Sequence, residues 1–441
     1  MIGSDRLRRI ASYALSAALV IAVVACSESH PNSTLVPRSD FGREIDFLWD
    51  RMLLIGTIVF VLTEGALLYV VLKYRRRENQ PPPPQTHGST KLEITWTLIP
   101  AVILVFIAVP TVRTIVTTQA AAAPGALNID VIGHQWWWEF RYADHGITTA
   151  NEIYIPAGRT VNFRLRSADV IHSFWAPQLG GKRDVVTNRT NYLWLTPDSA
   201  TASMVWNGFC AEYCGTAHTY MRFRVFTVTP QEFDSWAAGQ KMPARFGAVG
   251  PPAPTGGPIP PPLEAPGITT PTGPGAPSPA AQAAAPQTPA FATATGAMEP
   301  GYIFPRNRIP DYAVPSAPIP DELSFTAGLT GNAHRGRQIF SSKTCIGCHS
   351  IAGNPAAMGV LGPNLTHFGS RSTIAAGLYP NTPAYLALWI KNARAMKPGA
   401  LMPALGLNEY DPTLKSTVTA ATGGLTDQEI ADIVAYLTTL K

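Results

Sequence analysis

Residues 210–221 read CAEYCGTAHTYM, which sets two thiols four apart, an imidazole four further on and a thioether three beyond that. Soft sulfur and imidazole donors gathered in one loop suit copper or zinc, not magnesium or calcium. A single blue-copper site takes one thiolate, two histidines and a weak methionine, so here it would leave a thiolate to spare. Two copper ions sharing both sulfurs would use every donor in the loop. Three other readings stay open. Cys210 and Cys214 could form a disulfide in an exported domain. A Cys2His2 zinc site would have no need of Met221. Met221 could also be core filler. The copper reading needs a second histidine from elsewhere, and His172, in DVIHSFWAP (169–177), is the best candidate.

Together with GHQWWWEF (133–140), these segments resemble subunit II of the cytochrome c oxidases, with its binuclear CuA centre, over roughly residues 45–240. The resemblance implies that Cys210 and Cys214 bridge two copper ions. His172 and Met221 would complete one copper, and His218 with the backbone carbonyl of Glu212 the other. Trp136 would be the point of electron entry, with Trp137 and Trp138 packing and His134 structural. The side chain of Glu212 would reach a magnesium ion shared with subunit I. Asp169, Lys182 and Asp184 match positions near the subunit I interface, ordinary surface roles being the alternative. Members of the family that oxidise quinol lack the two cysteines, so this chain resembles the cytochrome c-oxidising kind. Subunits I and III and a cytochrome c or other respiratory donor are the implied partners.

Composition agrees with a membrane protein. The chain is 46% hydrophobic and only 14% charged, which indicates membrane segments rather than disorder. Its net charge of +5 is not spread evenly. Residues 126–240 carry nine Lys/Arg against ten Asp/Glu, and residues 321–441 nine against seven. Much of the excess lies in Arg6, Arg8 and Arg9 and in the run Lys73, Arg75, Arg76, Arg77. That pattern orients membrane proteins and offers no nucleic-acid face. The five cysteines divide into Cys26, the pair Cys210 and Cys214, and the pair Cys345 and Cys348, which leaves no disulfide framework. No nucleophile or general-base constellation appears, so hydrolytic and transferase chemistry has no support.

Residues 1–26 have a basic start and an apolar stretch, the layout of an export signal. VVAC at 23–26 resembles a bacterial lipoprotein processing site that would lipidate Cys26, ordinary cleavage nearby being the alternative. Within 45–120, two apolar stretches, about 52–72 and 96–116, each match the ~20 residues a crossing helix needs. They form a transmembrane hairpin. Pro100 and Pro110 are expected to kink the second helix or mark its ends. Glu64, inside the first span, should face protein or water. Glu93 matches a family glutamate at the entrance of a proton channel in subunit I, or is a plain interfacial carboxylate. The basic loop between the spans predicts that it is cytoplasmic, with all that follows residue 120 outside the bacterial plasma membrane.

From 126 to 240 the pattern changes to short strands, NIDVIG, EIYIPAG, TVNFRLRS, YLWLTP and MRFRVFTV, punctuated by Pro, Gly and Asn/Asp. This rhythm predicts a β-sandwich or barrel, and the resemblance implies a cupredoxin-like fold. Residues 241–320 hold 21 of the 41 prolines. Such a segment is expected to be a semi-extended tether without a core, able to hold the unit beyond it at millimolar effective concentration. In the last unit, 325–441, CIGCH (345–349) is the attachment motif of c-type haem, with Cys345 and Cys348 for the vinyl groups and His349 for iron. A redox dithiol or half a zinc site are the alternatives. The sixth ligand should be a methionine. Met402, in ALMPALG, precedes proline as in class I cytochromes c, ahead of Met396, Met358 and His367. GPNL (362–365) also resembles that class. Helices are expected at Thr382–Ala393 and from a capping box, Thr426 with Glu429, to the C-terminus.

The expected architecture is a multidomain membrane protein: a two-helix transmembrane hairpin, a cupredoxin-like β-barrel or sandwich, and an all-α cytochrome c domain. The expected function is electron input to a terminal cytochrome c oxidase, with covalent haem c and two copper ions as cofactors. A copper-haem subunit of a nitric oxide reductase and a non-redox copper-binding lipoprotein are the alternatives.

Overall fold

The computed structural model describes residues 12–19, 32–75, 87–244, 246, 298–314 and 316–441. Cys26 and most of the signal-like segment, Arg76, Arg77 and the PPPP run lie outside the described residues. The chain divides into two compact units, 1–229 and 230–441.

The first unit begins with two long helices, α1 (Asp40–Lys73) and α2 (Thr90–Gln119). Both are apolar enough to cross a membrane, and the apolar windows present their side chains outward along their length. Helix α1 has 34 residues, roughly 51 Å at the helical rise, so it outreaches a ~30 Å hydrocarbon core. Its surplus is at the start. The Ser39 hydroxyl caps the helix by accepting the Gly42 N–H at 3.0 Å and donates to the Leu179 carbonyl. Phe41 is buried edge-on against Trp194, with ring centroids 5.6 Å apart. The first turn of the helix, ahead of the span, is therefore bolted to the β-domain.

Pro100 and Pro110 lie inside α2, and the helix runs through both without ending. A proline removes one backbone bond, whereas stopping within hydrocarbon would expose a whole turn of unpaired groups. The expectation that they mark ends is not met.

Ten strands follow, and they form two five-stranded sheets. They are β1 (Leu127–His134), β2 (Trp137–Tyr142), β3 (Ile147–Ala150), β4 (Glu152–Pro156), β5 (Val161–Ser167), β6 (His172–Trp175), β7 (Arg183–Val185), β8 (Asn191–Leu195), β9 (Met204–Cys210) and β10 (Arg222–Val228). One sheet runs β3-β2-β1-β5-β8 and the other β4-β10-β9-β6-β7. The β1–β5 and β4–β10 pairs are parallel. This is the expected cupredoxin-like architecture. Between the sheets lies an aromatic core in which Phe174 stacks on Phe223 at 4.5 Å, and Trp138 meets both rings edge-on at 5.6 Å. Burial of such rings contributes roughly 1.5–3 kcal/mol each. A side chain at Gly208 would lie 2.2 Å from the Phe223 ring, so only glycine lets β9 and β10 close over it.

The second unit is mainly helical: α3 (Pro230–Gln240), α4 (Ala333–Ser342), α5 (Cys345–Cys348), α6 (Pro383–Lys391), α7 (Ala393–Met396) and α8 (Asp427–Thr439). Two small hairpins, β11 (Thr373–Ile374) with β12 (Tyr379–Pro380) and β13 (Tyr410–Asp411) with β14 (Ser416–Thr417), modify the all-α expectation. The expected capping box at α8 is present: Thr426 N–H donates to Glu429 at 2.8 Å, and Glu429 N–H returns a bond to Thr426 at 3.3 Å. Helices α4 and α8 approach so closely that a side chain at Gly336 would lie 1.9 Å from the Asp432 carbonyl.

Residues 298–314 and 316–320, inside the expected tether, differ from that reading. Phe304 and Ala313 are buried, and Arg306 donates to the carbonyls of Asn381 and Arg371 at 3.1 and 3.0 Å. The Ser316 hydroxyl bonds Tyr385 at 2.7 Å. Here the Pro-rich chain needs no core of its own, because the helical unit answers polar groups of Arg306 and Ser316 and Phe304 is buried, while Met298, Ile303 and Tyr312 stay exposed.

Candidate metal centre

His172 opens β6, Cys210 closes β9, and the remaining candidates occupy the loop from β9 to β10, whose 3-10 turn spans His218–Tyr220. The sulfurs of Cys210 and Cys214 are 3.8 Å apart, far beyond a ~2.05 Å disulfide. Nδ1 of His172 is 3.9 Å from Cys210 Sγ, and Nδ1 of His218 is 3.7 Å from Cys214 Sγ. Met221 Sδ lies 4.0 Å from Cys214 Sγ, and the Glu212 carbonyl oxygen 3.3 Å from Cys210 Sγ. Every atom the sequence singled out thus meets around the two sulfurs. His172, Cys210 and Cys214 are also the one group of three Cys, His or carboxylate side chains, among the described residues, close enough to share an ion. Thiolate, imidazole, thioether and carbonyl donors in this number fit copper. Zinc would leave Met221, which is fully buried, without a purpose.

The scaffold explains why these atoms converge. The Cys210 N–H donates to the Met221 carbonyl at 3.2 Å, and the Ala211 N–H to Ser173 at 2.9 Å. The same Met221 carbonyl accepts the Trp138 indole at 3.4 Å. His172 is fully buried against Gly133, where a side chain would lie 2.7 Å from the imidazole Cδ2.

A polar frame that sequence reasoning missed surrounds the donors. Asp169 bonds His172 Nε2 at 2.7 Å, which leaves Nδ1 turned toward the sulfur. Its other oxygen accepts the Gln135 N–H at 2.6 Å. Gln135 and Trp136 then donate to the Cys214 carbonyl at 2.8 and 3.0 Å. The signal for Asp169 was its place three residues before a candidate ligand. Burial alone would raise the Asp169 pKa and lower that of His172. Burial is the largest single influence on each. At Asp169, however, the His172 bond together with the Gln135 and Val170 N–H groups lowers the acid, and at His172 the Asp169 bond together with Cys210 raises the imidazole. Hydrogen bonding from Cys214, ahead of the contacts with His172 and the Glu212 backbone, brings the Cys210 thiol down to about 3, and that thiolate pushes Cys214 up. A first thiolate is ready for a metal.

The Glu212 side chain is exposed, as is Tyr213, whose ring meets His218 edge-on at 5.8 Å. His134 bonds Glu139 at 2.9 Å and stacks on Trp137 at 4.2 Å, while Trp138 is fully buried, in keeping with packing roles for all three.

In the second unit α5 carries Cys345 and Cys348 as free thiols, Cys345 pushed up to about 11 by burial. His349 Nδ1 bonds the Pro363 carbonyl at 2.8 Å, which directs Nε2 away from the backbone as an iron ligand requires. Burial lowers its pKa, against the pull of that carbonyl. A side chain at Gly362 would lie 2.7 Å from the imidazole, so GPNL is a cradle for the ring. The motif and its cradle fit haem c. Met402 is half-buried in a loop, Met396 is buried in α7, and Met358 is exposed. The ring of His367 is taken by the carbonyls of Gln240 and Met242, at 3.3 and 3.1 Å.

Three stretches of the chain match known protein families. Residues 38–114 match the family "Cytochrome C oxidase subunit II, transmembrane domain", and residues 145–228 match "Cytochrome C oxidase subunit II, periplasmic domain". Residues 333–441 match the family "Cytochrome c". Cytochrome c oxidase subunit 2 of Alkalihalophilus pseudofirmus is 28% identical over 432 residues, 96% of this chain and 95% of that protein. Probable cytochrome c oxidase subunit 2 of Rickettsia bellii is 34% identical over 233 residues, 48% of this chain and 84% of that protein. The solved periplasmic domain of cytochrome oxidase subunit II from Bradyrhizobium japonicum is 28% identical, with 27% of this chain and 97% of that domain covered and a TM-score of 0.26.

Proposed function

This chain belongs to the cytochrome c oxidase subunit II family, with a cytochrome c domain fused at its C-terminal end, and we propose that it is the electron-input subunit of such an oxidase. In that role it relays electrons from a cytochrome c donor through its own haem c to a binuclear copper centre and on to subunit I. Oxygen reduction and proton pumping belong to that partner, with subunit III beside it. The names of the relatives favour an oxidase over a nitric oxide reductase.

One observation carries the reading: two thiol sulfurs 3.8 Å apart, each with its own imidazole within 3.9 Å and its own weak donor within 4.0 Å. Copper bound there supplies a one-electron store. Cys210 and Cys214 would hold both ions between them, with His172 and Met221 as further donors to one and His218 with the Glu212 carbonyl as further donors to the other. Asp169 holds the His172 ring in place through Nε2, as a carboxylate beyond a ligand does in many metal sites. The buried rings of Trp138, Phe174 and Phe223 exclude water from beneath the loop. Trp136, bonded to the backbone of Cys214, admits the electron. The exposed Glu212 side chain offers a ligand for magnesium shared with subunit I.

In the C-terminal unit Cys345 and Cys348 would attach a haem c, and His349 and Met402 would ligate its iron, which supplies one-electron chemistry. The basic loop between α1 and α2 lies in the cytoplasm, so both redox units face outward from the bacterial plasma membrane.

Metal analysis and paramagnetic resonance of the purified full chain test this reading. About two coppers per chain sharing one unpaired electron, with one low-spin haem c, are expected. Cys214→Ser should abolish the copper signal and leave the haem band. A copper signal that survives Cys214→Ser, or zinc in the native site, would overturn the assignment.

A further inference from the structure

One buried ion pair grips the loop that carries Met402 from both sides. Arg394, in α7, points Nη1 at both carboxylate oxygens of Asp411, at 2.9 and 2.7 Å. The same guanidinium donates Nε–H to the Ala400 carbonyl at 3.1 Å and Nη2–H to the Leu401 carbonyl at 3.2 Å. Asp411 in turn accepts the Ala404 N–H at 3.1 Å. The two residues before Met402 and the second one after it are thus tied to a single charge pair. The Arg394 and Asp411 side chains are only 12% and 1% exposed, so removing either would strand its partner's charge.

The small β13–β14 hairpin is what delivers the carboxylate. Asp411 closes β13, and its Oδ1 also accepts the N–H groups of Thr413 and Leu414, both at 2.9 Å, across the turn. The returning limb of the Met402 loop is fastened separately. Leu405 and Gly406 donate to the Lys391 carbonyl at 3.0 and 2.8 Å, and Ala404 bridges to Asn392. Met402 sits at the apex between these fastenings. A thioether is a weak donor with many rotamers. Its hold on iron depends on how rigidly the surrounding loop presents it.

We infer that Arg394 and Asp411 are positioning residues that keep Met402 on the haem iron. The inference rests on the reading of Met402 as sixth ligand. A second ion pair in the same unit supplies the contrast: Arg335 with the fully buried Asp432 joins α4 to α8 and bonds Asn332 and Gln428 instead of the Met402 loop.

The test uses the haem-loaded full chain in detergent, carrying Cys214→Ser to clear copper absorption. Two readouts are taken: the charge-transfer band of methionine bound to ferric iron, and the affinity of ferric haem for imidazole as a competing probe. Arg394→Met and Asp411→Asn should each weaken the band and raise imidazole affinity about tenfold, the usual cost of losing a support beyond a ligand. Arg394→Lys should recover only part, because an ammonium reaches the carboxylate but cannot fork to Ala400 and Leu401. Asp432→Asn should lower the melting temperature with band and imidazole affinity unchanged. Wild-type band and affinity in both Arg394→Met and Asp411→Asn would overturn the inference. If Arg394→Met does not fold, the nearly isosteric Asp411→Asn decides alone. Met402→Ala must lose the band outright, and a band that persists there would sink the ligand reading itself.

Discussion

The indole N–H of Trp136 donates to the carbonyl oxygen of Cys214 across 3.0 Å. A ring that meets the surface is thereby joined by one hydrogen bond to the backbone of Cys214, one of the two cysteines proposed to hold copper. Gly215, at φ +115°, makes room for it, since a side chain there would lie 2.9 Å from the indole Cζ2.

Trp136→Phe keeps an aromatic ring and removes that bond. Electron input should slow by on the order of tenfold or more, because small displacements of a positioned group carry large rate costs. The copper spectrum should stay as in the wild type. Rapid-mixing kinetics with reduced cytochrome c measure the rate, and an unchanged rate would deny Trp136 the entry role. Trp138→Phe, altering a ring wholly inside the core, should lower stability instead.

What could be read along the chain was whatever depends on short, fixed spacing. Both ligand loops are of this kind, since Cys210–Met221 and Cys345–His349 each bring their donors together within one turn of chain. Strands β1, β4, β5, β8 and β10 also announced themselves. Strands β2, β6 and β9 did not, although they place Trp138, His172 and Cys210. β2 is buried at five of six positions, so it shows no alternation, and β6 has only four residues. Asp169 was noticed for a different surface, because nothing in a linear text says which way a carboxylate turns. Arg394 and Asp411 stand 17 residues apart, and their pairing exists only once the β13–β14 hairpin folds back. The packing of Phe304, Arg306 and Ser316 was illegible for a related reason: proline-rich composition reports the lack of a private core, not the presence of a neighbour to lean on.

Gly133→Ala probes the copper site from the side opposite the sulfurs. The added methyl would lie 2.7 Å from His172 Cδ2, and the buried imidazole has little room to yield. Overpacking of this kind costs about 1–3 kcal/mol. Here the strain falls on a proposed ligand, so copper affinity in a competitive chelator titration should drop by roughly 10–100-fold. The haem band, in the other unit, should be unaffected. Wild-type copper affinity in Gly133→Ala would show that His172 is not held where the geometry places it.

Acid should loosen the haem unit in part through Asp427. This carboxylate begins α8, accepts both the hydroxyl and the N–H of Thr326 at 2.6 and 3.0 Å, and pairs with Lys391 at 3.0 Å. Burial by itself would raise its pKa, but Thr326 and Lys391 together lower it below the ordinary aspartate value. A group whose pKa is depressed by folding lends stability above its unfolded pKa, about 3.9, and loses it as pH falls through the lower folded value. Asp427→Asn should therefore cost on the order of 1 kcal/mol at pH 7, the usual worth of charged hydrogen bonds at a partly exposed site. The gap between the two proteins should be constant from pH 7 down to about 5 and close progressively below about 4. Denaturant unfolding of the haem-loaded protein, followed at the haem band across this range, measures it. A gap that widened toward low pH would mean that Asp427 is protonated more readily in the folded protein than in the unfolded one, the reverse of what its partners impose.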